Sequence, residues 1–225
     1  MLADDPSSEA VHGGADGLFA GSALTYVEMG TMSPDHIAWL VEQAPEGARV
    51  IDAPVSGATK AAADAQLVIM AGCTPEEAAP LNPLFHAISK ETLCLGLTGN
   101  GAVMKLAVNS LIHGINQTFA EAMTLAEAAG IAPEAALDVI EASAACAPML
   151  KYRRPLYLDE AAHDVTFTVA LARKDMEVTA DLARKLGIDM PQGLSTLEIL
   201  RLAESDGYAA RDMASILNYM REHKS

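Results

Sequence analysis

The sequence lacks a cysteine framework. Its three cysteines, Cys73, Cys94 and Cys146, are widely spaced and form no C-x-x-C pair. An odd number of cysteines without that spacing predicts neither a disulfide scaffold nor a zinc site, and we expect no metal. Unpaired thiols are typical of a reducing compartment. We therefore expect a cytoplasmic protein.

Basic residues are also scarce. The chain has 15 lysines and arginines against 30 aspartates and glutamates, a formal charge of -15. That charge repels phosphate backbones and anionic membrane surfaces, so we expect no nucleic-acid partner. The first residues lack the basic and apolar segments of a secretory signal. The most apolar stretch, residues 106–131, is interrupted by polar residues, so we expect no membrane span.

A third absence is the G-x-G-x-x-G loop that binds a dinucleotide pyrophosphate between a strand and a helix. Gly99-Asn100-Gly101 follows a strand pattern and opens a helix, but Met104 stands where the third glycine belongs. Glu121, at the spacing of a ribose-binding acid, lies inside the predicted helix rather than after a second strand. We therefore reject this turn as a dinucleotide fingerprint.

Hydrophobic patterns divide the chain in two. Up to Gly99, strand patterns at residues 23–29, 49–55, 66–71 and 92–95 alternate with helices at 33–43 and 75–87, as in an α/β sheet. Beyond it the pattern has only the helical period. The predicted fold is the C-terminal part of a Rossmann-type sheet, residues 1–98, followed by an all-α domain, residues 99–225. Helices in that domain are predicted at 102–129, 133–143, 147–157, 166–186, 191–204 and 212–222.

Lys105 and Asn109 are the residues of chief chemical interest. They lie one turn apart on the predicted long helix and form a narrow polar stripe with His113 and Asn116. A lysine in a partly desolvated cleft has its pKa lowered from about 10.4 towards neutrality, where it can exchange a proton. Asn109 could orient the same substrate oxygen. For His113 and Asn116 the favoured interpretation is a solvated face or a polar seam between helices.

The segment Asp52-Ala53-Pro54-Val55-Ser56-Gly57 reads as a strand running into a tight turn. Open α/β sheets bind ligands at the carboxyl ends of their strands, and a serine hydroxyl with backbone N–H groups can receive a carboxylate. An ordinary β-turn explains serine and glycine equally well.

Two basic features each have two interpretations. Tyr152-Arg153-Arg154-Pro155 is interpreted as an exposed helix end, with recognition of a distal substrate anion as the alternative. Lys60, just after the Ser56-Gly57 turn, either meets the far end of a substrate or faces water.

Three motifs together resemble the β-hydroxyacid dehydrogenases, which include 3-hydroxyisobutyrate, tartronate semialdehyde and 6-phosphogluconate dehydrogenases. They are Ile-Asp-Ala-Pro-Val-Ser-Gly at 51–57, Gly-Asn-Gly-Ala-Val-Met-Lys-Leu-Ala-Val-Asn at 99–109, and Phe167 with Lys174-Asp175-Met176. The resemblance runs in the family's order along essentially the whole chain.

The resemblance implies an oxidoreductase that uses NAD or NADP and acts on a 3-hydroxy acid or the matching aldehyde or keto acid. It assigns general acid/base chemistry to Lys105 and substrate holding to Asn109. It also implies substrate binding by Ser56, Gly57 and Ala58, and cofactor contacts from Thr31, Phe167, Lys174 and Asp175. Helical domains of this family often form dimers or tetramers, so a homo-oligomer is expected.

The chain departs from the family pattern in three places. Ala58 stands where the family usually has glycine, and Gly30 where it usually has serine. The family also begins with a strand, a glycine-rich turn and a helix, so we expect roughly 60 residues of the first mononucleotide-binding half to be missing. This leaves a second hypothesis, a catalytically silent subunit that only oligomerises. Imine reductases are a third, but they typically lack the lysine.

Overall fold

The computed structural model describes residues 1–223, which form two compact units, Met1–Val108 and the chain from Asn109 onward. The first unit mixes strands with helices. In the second, residues 109–223 contain helices and turns with a single isolated β-bridge. The predicted fold class is therefore confirmed. No helix within residues 1–223 is both long and apolar enough to cross a membrane.

The first unit contains all four predicted strands and two helices that the sequence did not predict, the first and the third. In chain order the elements are α1 (Asp5–His12), β1 (Thr25–Glu28), α2 (Pro34–Gln43), β2 (Arg49–Asp52), β3 (Val55–Ser56), α3 (Ala58–Ala63), β4 (Leu67–Ala71), α4 (Pro75–Ala78), α5 (Asn82–Ile88) and β5 (Ser89–Cys94). The strands pair in parallel as β1 with β2 and as β4 with β5, while β3 is antiparallel to β4.

The segment predicted as one strand over 49–55 is split. Strand β2 ends at Asp52, and Pro54 has no N–H with which to continue the ladder. The Pro54 carbonyl instead accepts the Met70 N–H at 2.9 Å, and the chain turns into the short strand β3. The prediction of a continuous strand into the Ser56-Gly57 turn is therefore wrong.

Capping and buried apolar side chains account for the rest of this unit. The Ser33 hydroxyl accepts the His36 N–H at 3.0 Å and Pro34 follows it, so α2 begins as predicted. Ile69 and Phe85 are completely buried, and Met32 is completely buried in a second cluster. These clusters hold the helices against the strands.

The helices after Gly99 end near the predicted glycines and prolines. Gly187 has φ 68° and closes the fourth of them in the left-handed conformation that glycine favours. Met123 and Leu137 are completely buried in the core of the second unit. The helices are α6 (Asn100–Ala128), α7 (Pro133–Ala142), α8 (Pro148–Leu158), α9 (Val169–Leu186), α10 (Pro191–Ala203) and α11 (Ile216–Glu222).

Arg153 corrects the interpretation of the basic cluster as an exposed helix end. It is only 3% exposed, and its Nη1 donates to Asp212 Oδ1 at 2.6 Å. Asp212 is fully buried and also accepts N–H groups from Thr166, Phe167 and Ala214. Burial by itself raises the pKa of the Asp212 carboxyl, but Arg153 and these hydrogen bonds outweigh it, so the pKa lies below its usual range.

We predict that Arg153→Met lowers the free energy of unfolding at pH 7 by about 3–5 kcal/mol, because it leaves a buried carboxylate without its cation. The loss should shrink as the pH falls towards 3. In the wild type the ionised Asp212 carboxylate contributes to the free energy of unfolding, and this contribution is lost as the pH falls through its lowered pKa. In the variant the same carboxylate has no cation beside it, and its protonation at low pH removes the uncompensated charge. Urea unfolding at several pH values measures both effects.

Arg154→Met is the matched control for Arg153→Met. Arg154 is the next residue, but it is partly exposed and pairs with Asp138 and Glu141 at the surface. Its loss should be much smaller than that of Arg153→Met and should not depend on the protonation of Asp212. Equal losses in the two variants would contradict the role given to the buried pair.

Ala58 provides a second test of the fold. It has φ 58°, a left-handed conformation that costs an alanine about 1–2 kcal/mol. Because the residue is exposed, Ala58→Gly removes no core packing. We expect the free energy of unfolding to rise by up to about 1 kcal/mol, less than the full strain because glycine gains freedom in the unfolded chain.

Ala62→Gly is the control for Ala58→Gly. Ala62 is also exposed and lies in the same helix, α3, but its φ is not positive. Glycine there should lower the free energy of unfolding by up to about 1 kcal/mol. If thermal and urea unfolding give the same sign for both variants, the assignment of strain to Ala58 is wrong.

Candidate active site

The start of α6 is held by Asp52, a residue that the sequence reasoning did not single out. Asp52 is fully buried at the end of β2. Its Oδ1 accepts the Gly99 N–H and its Oδ2 accepts the Ala102 N–H, both at 2.8 Å. The first turn of a helix has amide groups without helical partners, and a carboxylate both satisfies them and is favoured by the helix dipole.

Asp52 also gives a physical reason for rejecting Gly99-Asn100-Gly101 as a phosphate loop. A pyrophosphate bound at a helix start needs the N–H groups of the first turn. Here the amides of Gly99 and Ala102 already donate to Asp52. A phosphate at this turn would have to displace a buried carboxylate, so the turn is structural.

Lys105 lies on α6 three residues after Ala102 and is half-buried. It belongs to the first unit, as do Thr31 and the turn that follows β3. Ser56, the last residue of β3, is half-buried, whereas Gly57 and Ala58 after it are exposed. The first unit therefore contains the proposed proton-transferring residue, the proposed substrate turn and the candidate threonine.

Glycine is required at position 57. Its φ of 143° is unusual for a residue with a side chain, and a Cβ would lie 2.6 Å from Ala61 Cβ and 3.1 Å from Leu67 Cδ2. The close approach of α3 and β4 therefore sets the shape of the turn. The chain leaves β3 directly into α3 rather than through an ordinary β-turn.

Asn109, Lys174 and Asp175 are brought together in the second unit. Asn109 Nδ2 donates to Asp175 Oδ2 at 2.5 Å, and Lys174 Nζ lies 2.7 Å from Asp175 Oδ1. Asp175 is 1% exposed and Asn109 is 4% exposed. Both carboxylate oxygens are thus engaged, one by an ammonium and the other by an amide, and the Asn109 side chain has a fixed orientation.

The remaining members of the α6 stripe have two different environments. His113 is buried, and its ring stacks on Phe167 with centroids 5.8 Å apart. Asn116 donates to the Met213 carbonyl at 2.9 Å and accepts the Tyr157 hydroxyl at 2.8 Å. The interpretation of Asn116 as part of a polar seam between helices is confirmed.

Lys60 forms a surface ion pair. Its Nζ lies 2.8 Å from Asp64 Oδ2, with the lysine side chain 88% exposed. The hydrogen bond to Asp64 and its negative charge raise the pKa of Lys60. This geometry gives no support for contact with a substrate. Within residues 1–223 no group of three or more His, Cys, Asp or Glu side chains could hold a metal ion.

Two aspartates, Asp52 and Asp212, position segments that carry candidate residues, and both were missed in the sequence. Asp212 accepts the N–H groups of Thr166 and Phe167, immediately before α9. The signal for Asp52 was present but indirect. A buried strand ends in an acid, and a long helix later begins just after Gly99, a residue without a side chain that could cap it.

Two family models match the chain in succession. The NAD binding domain of 6-phosphogluconate dehydrogenase matches residues 1–96. The NAD-binding domain of NADP-dependent 3-hydroxyisobutyrate dehydrogenase matches residues 99–220. The cofactors named for these families are thus NAD and NADP, in agreement with the resemblance seen in the three motifs.

Similar proteins include several reductases and dehydrogenases. Glyoxylate/succinic semialdehyde reductase 2, chloroplastic, of Arabidopsis thaliana is 31% identical over the whole chain, which spans 63% of that protein. NAD-dependent L-serine dehydrogenase of Pseudomonas aeruginosa is 30% identical over 94% of the chain and 75% of its own length. The chain therefore spans less than two thirds of the first of these relatives.

A solved structure supports the same fold. The 3-hydroxyisobutyrate dehydrogenase of Mycobacterium tuberculosis superposes with a TM-score of 0.84 at 22% identity, covering 98% of this chain and 78% of that one. The model matches, the identity over the whole chain and the three motifs lead to one conclusion: the chain belongs to the 3-hydroxyisobutyrate dehydrogenase-like family of β-hydroxyacid dehydrogenases.

Proposed function

We propose that the protein is an NAD(P)-dependent oxidoreductase that interconverts a short 3-hydroxy acid and the corresponding aldehyde or keto acid. The observation that carries the proposal is the spacing of Lys105 and Asn109 on one continuous helix, α6. L-serine and 3-hydroxyisobutyrate, the acids named for one relative and for one matching family model, are 3-hydroxy acids and support this substrate class. Glyoxylate and succinic semialdehyde, named for another relative, support only the broader class of small oxo acids.

Lys105 is the proposed general acid/base. Lys105 is half-buried on α6. The neutral amine takes the proton of the substrate hydroxyl during oxidation and returns it during reduction. Asn109, oriented by its bond to Asp175, holds the same oxygen, while Ser56 with the amides of Gly57 and Ala58 receives the carboxylate.

The cofactor would be held in part by this chain's own residues. Bound NAD(P) supplies the hydride acceptor or donor that the reaction needs. Lys174 and Asp175, which form an ion pair, are proposed to lie near its nicotinamide. Thr31 and Phe167 are proposed as further cofactor contacts. The amides at the start of α6 are engaged by Asp52, so we propose that the pyrophosphate binds elsewhere.

We predict that Lys105→Ala lowers kcat/KM about 100-fold to 10,000-fold, the contribution of a positioned acid/base group. Binding of NADH or NADPH, followed by nucleotide fluorescence, should change little. Turnover is assayed with a panel of acids named for the relatives and for a matching family model: glyoxylate, succinic semialdehyde, L-serine and 3-hydroxyisobutyrate.

Lys90→Ala is the control for Lys105→Ala, because Lys90 is an exposed lysine of the same unit, on β5. It should keep the wild-type rate. A Lys105→Ala variant that retains that rate would refute the acid/base assignment. A wild-type chain that binds neither nucleotide would favour the second hypothesis, an oligomerising subunit without catalysis.

We also infer that the chain forms a homo-oligomer through its helical unit. A groove of about 550 Å³ is lined by uncharged side chains of α6, α7, α8 and the start of α10, among them Ile115, Phe119 and Ile140. Leu111 lines it and is 66% exposed. Apolar patches of this kind mark protein contacts, and an uncharged one lets two copies with charge -15 meet without repulsion there.

We predict that Leu111→Glu weakens self-association at least about tenfold, because a charge would be buried at the contact. Leu24→Glu, at an exposed leucine of the first unit, should leave it unchanged. Light scattering after size exclusion over a concentration series measures the association. A wild-type monomer at all concentrations would overturn the inference, as would equal behaviour of Leu111→Glu and the wild type.

A further inference from the structure

The proton-transferring role proposed for Lys105 requires that the first turn of α6 has a fixed position. That turn has no capping side chain at Gly99, the residue before the helix. Its partner comes instead from β2, because the Asp52 carboxylate accepts one N–H from Gly99 and one from Ala102. Each bond uses a different carboxylate oxygen. Together they fix the position of the turn along the helix axis and its rotation about that axis.

The packing around Asp52 is as specific as its hydrogen bonds. A Cβ at Gly72 would lie 2.1 Å from Asp52 Oδ1. One at Gly101 would lie 2.4 Å from the Met70 carbonyl oxygen and 2.9 Å from Asp52 Oδ2. Glycine at both positions therefore lets the end of β4 and the first turn of α6 close around the carboxylate, and the Gly72 N–H donates to the Asp52 carbonyl at 2.8 Å.

We propose that Asp52 is a positioning residue for the reaction, acting through Lys105. Ala102, which donates to the carboxylate, precedes Lys105 by three residues, less than one turn of helix. The position of the Lys105 backbone in the first unit is thus set by a buried charge-assisted contact rather than by a local cap. This proposal rests on the function proposed for Lys105, but the clamp can be tested without turnover.

The test measures how fast Lys105 is acetylated by acetic anhydride as a function of pH, with mass spectrometry of each labelled lysine. The exposed Lys90 and Lys151 serve as internal references. Asp52→Asn keeps the shape of the side chain but leaves only one oxygen to accept two N–H groups. In Asp52→Asn we expect the acetylation rate of Lys105 to differ from the wild-type rate by at least about threefold. The change should bring the rate closer to those of the reference lysines.

Two glycine variants form a matched pair that keeps the test valid if Asp52→Asn does not fold. Gly99 has φ 95° and Gly96 has φ 89°, and a Cβ at either position meets nothing within 4 Å. Alanine therefore strains the backbone similarly at both. Only Gly99 donates to Asp52, while the Gly96 N–H donates to the Cys73 carbonyl. Gly99→Ala should change Lys105 labelling in the same direction as Asp52→Asn, and Gly96→Ala should not.

The outcomes separate positioning from general stability. If Lys105 labelling is unchanged in folded Asp52→Asn and in Gly99→Ala, or if Gly96→Ala changes it as much as Gly99→Ala, the proposal is overturned. A wild type that turns over no acid would count against the proposed function alone, because labelling needs neither substrate nor cofactor. Where the wild type turns over, Asp52→Asn should lower kcat more than it changes KM.

Discussion

The buried carboxylate of Asp52 is the constraint on which the first unit depends. A charge without solvent is costly unless it is fully hydrogen-bonded, and here the partners come from amides 47 and 50 residues further along the chain. The end of β2, the end of β4 and the first turn of α6 must therefore form together around one side chain. The same contact explains why a Gly-Asn-Gly turn that resembles a phosphate loop serves a structural purpose.

The second unit also contains a fully buried aspartate that accepts several hydrogen bonds. Asp212 is fully buried and takes donors from Arg153, from the segment just before α9 and from Ala214. Helix α9 carries Lys174 and Asp175, and Thr168 caps its start by accepting the Leu171 N–H. In each unit, then, a buried aspartate holds the beginning of a helix that bears candidate site residues. Buried carboxylates thus position both segments that carry candidate residues.

Local patterns in the sequence predicted most of the fold, and long-range contacts account for what was missed. Helix bounds followed from hydrophobic period and from prolines and glycines, which act through neighbouring residues alone. The partners Arg153 and Asp212 are 59 residues apart, so no local pattern could show that this arginine is buried. The split of the predicted strand at Pro54 was readable in principle, since proline cannot donate to a ladder. The three motifs indicated the family, and the roles of their residues stay predictions.

The two single-residue departures from the family pattern, Gly30 and Ala58, differ in whether their surroundings favour the residue that is present. At Gly30 a Cβ would lie 2.8 Å from the Leu2 carbonyl oxygen and 2.9 Å from Glu28 Oε1, so the serine usual in the family would require the Leu2 backbone to shift. The Glu28 carboxylate occupies that space, accepting the Gly30 N–H at 2.7 Å and the Ser8 hydroxyl at 3.1 Å. Glycine at position 30 thus leaves room for the Glu28 carboxylate. At Ala58 no comparable contact within residues 1–223 offsets the strain of its left-handed backbone. The loop beside Thr31 is packed around the Glu28 carboxylate, whereas the turn after Ser56 contains a strained alanine.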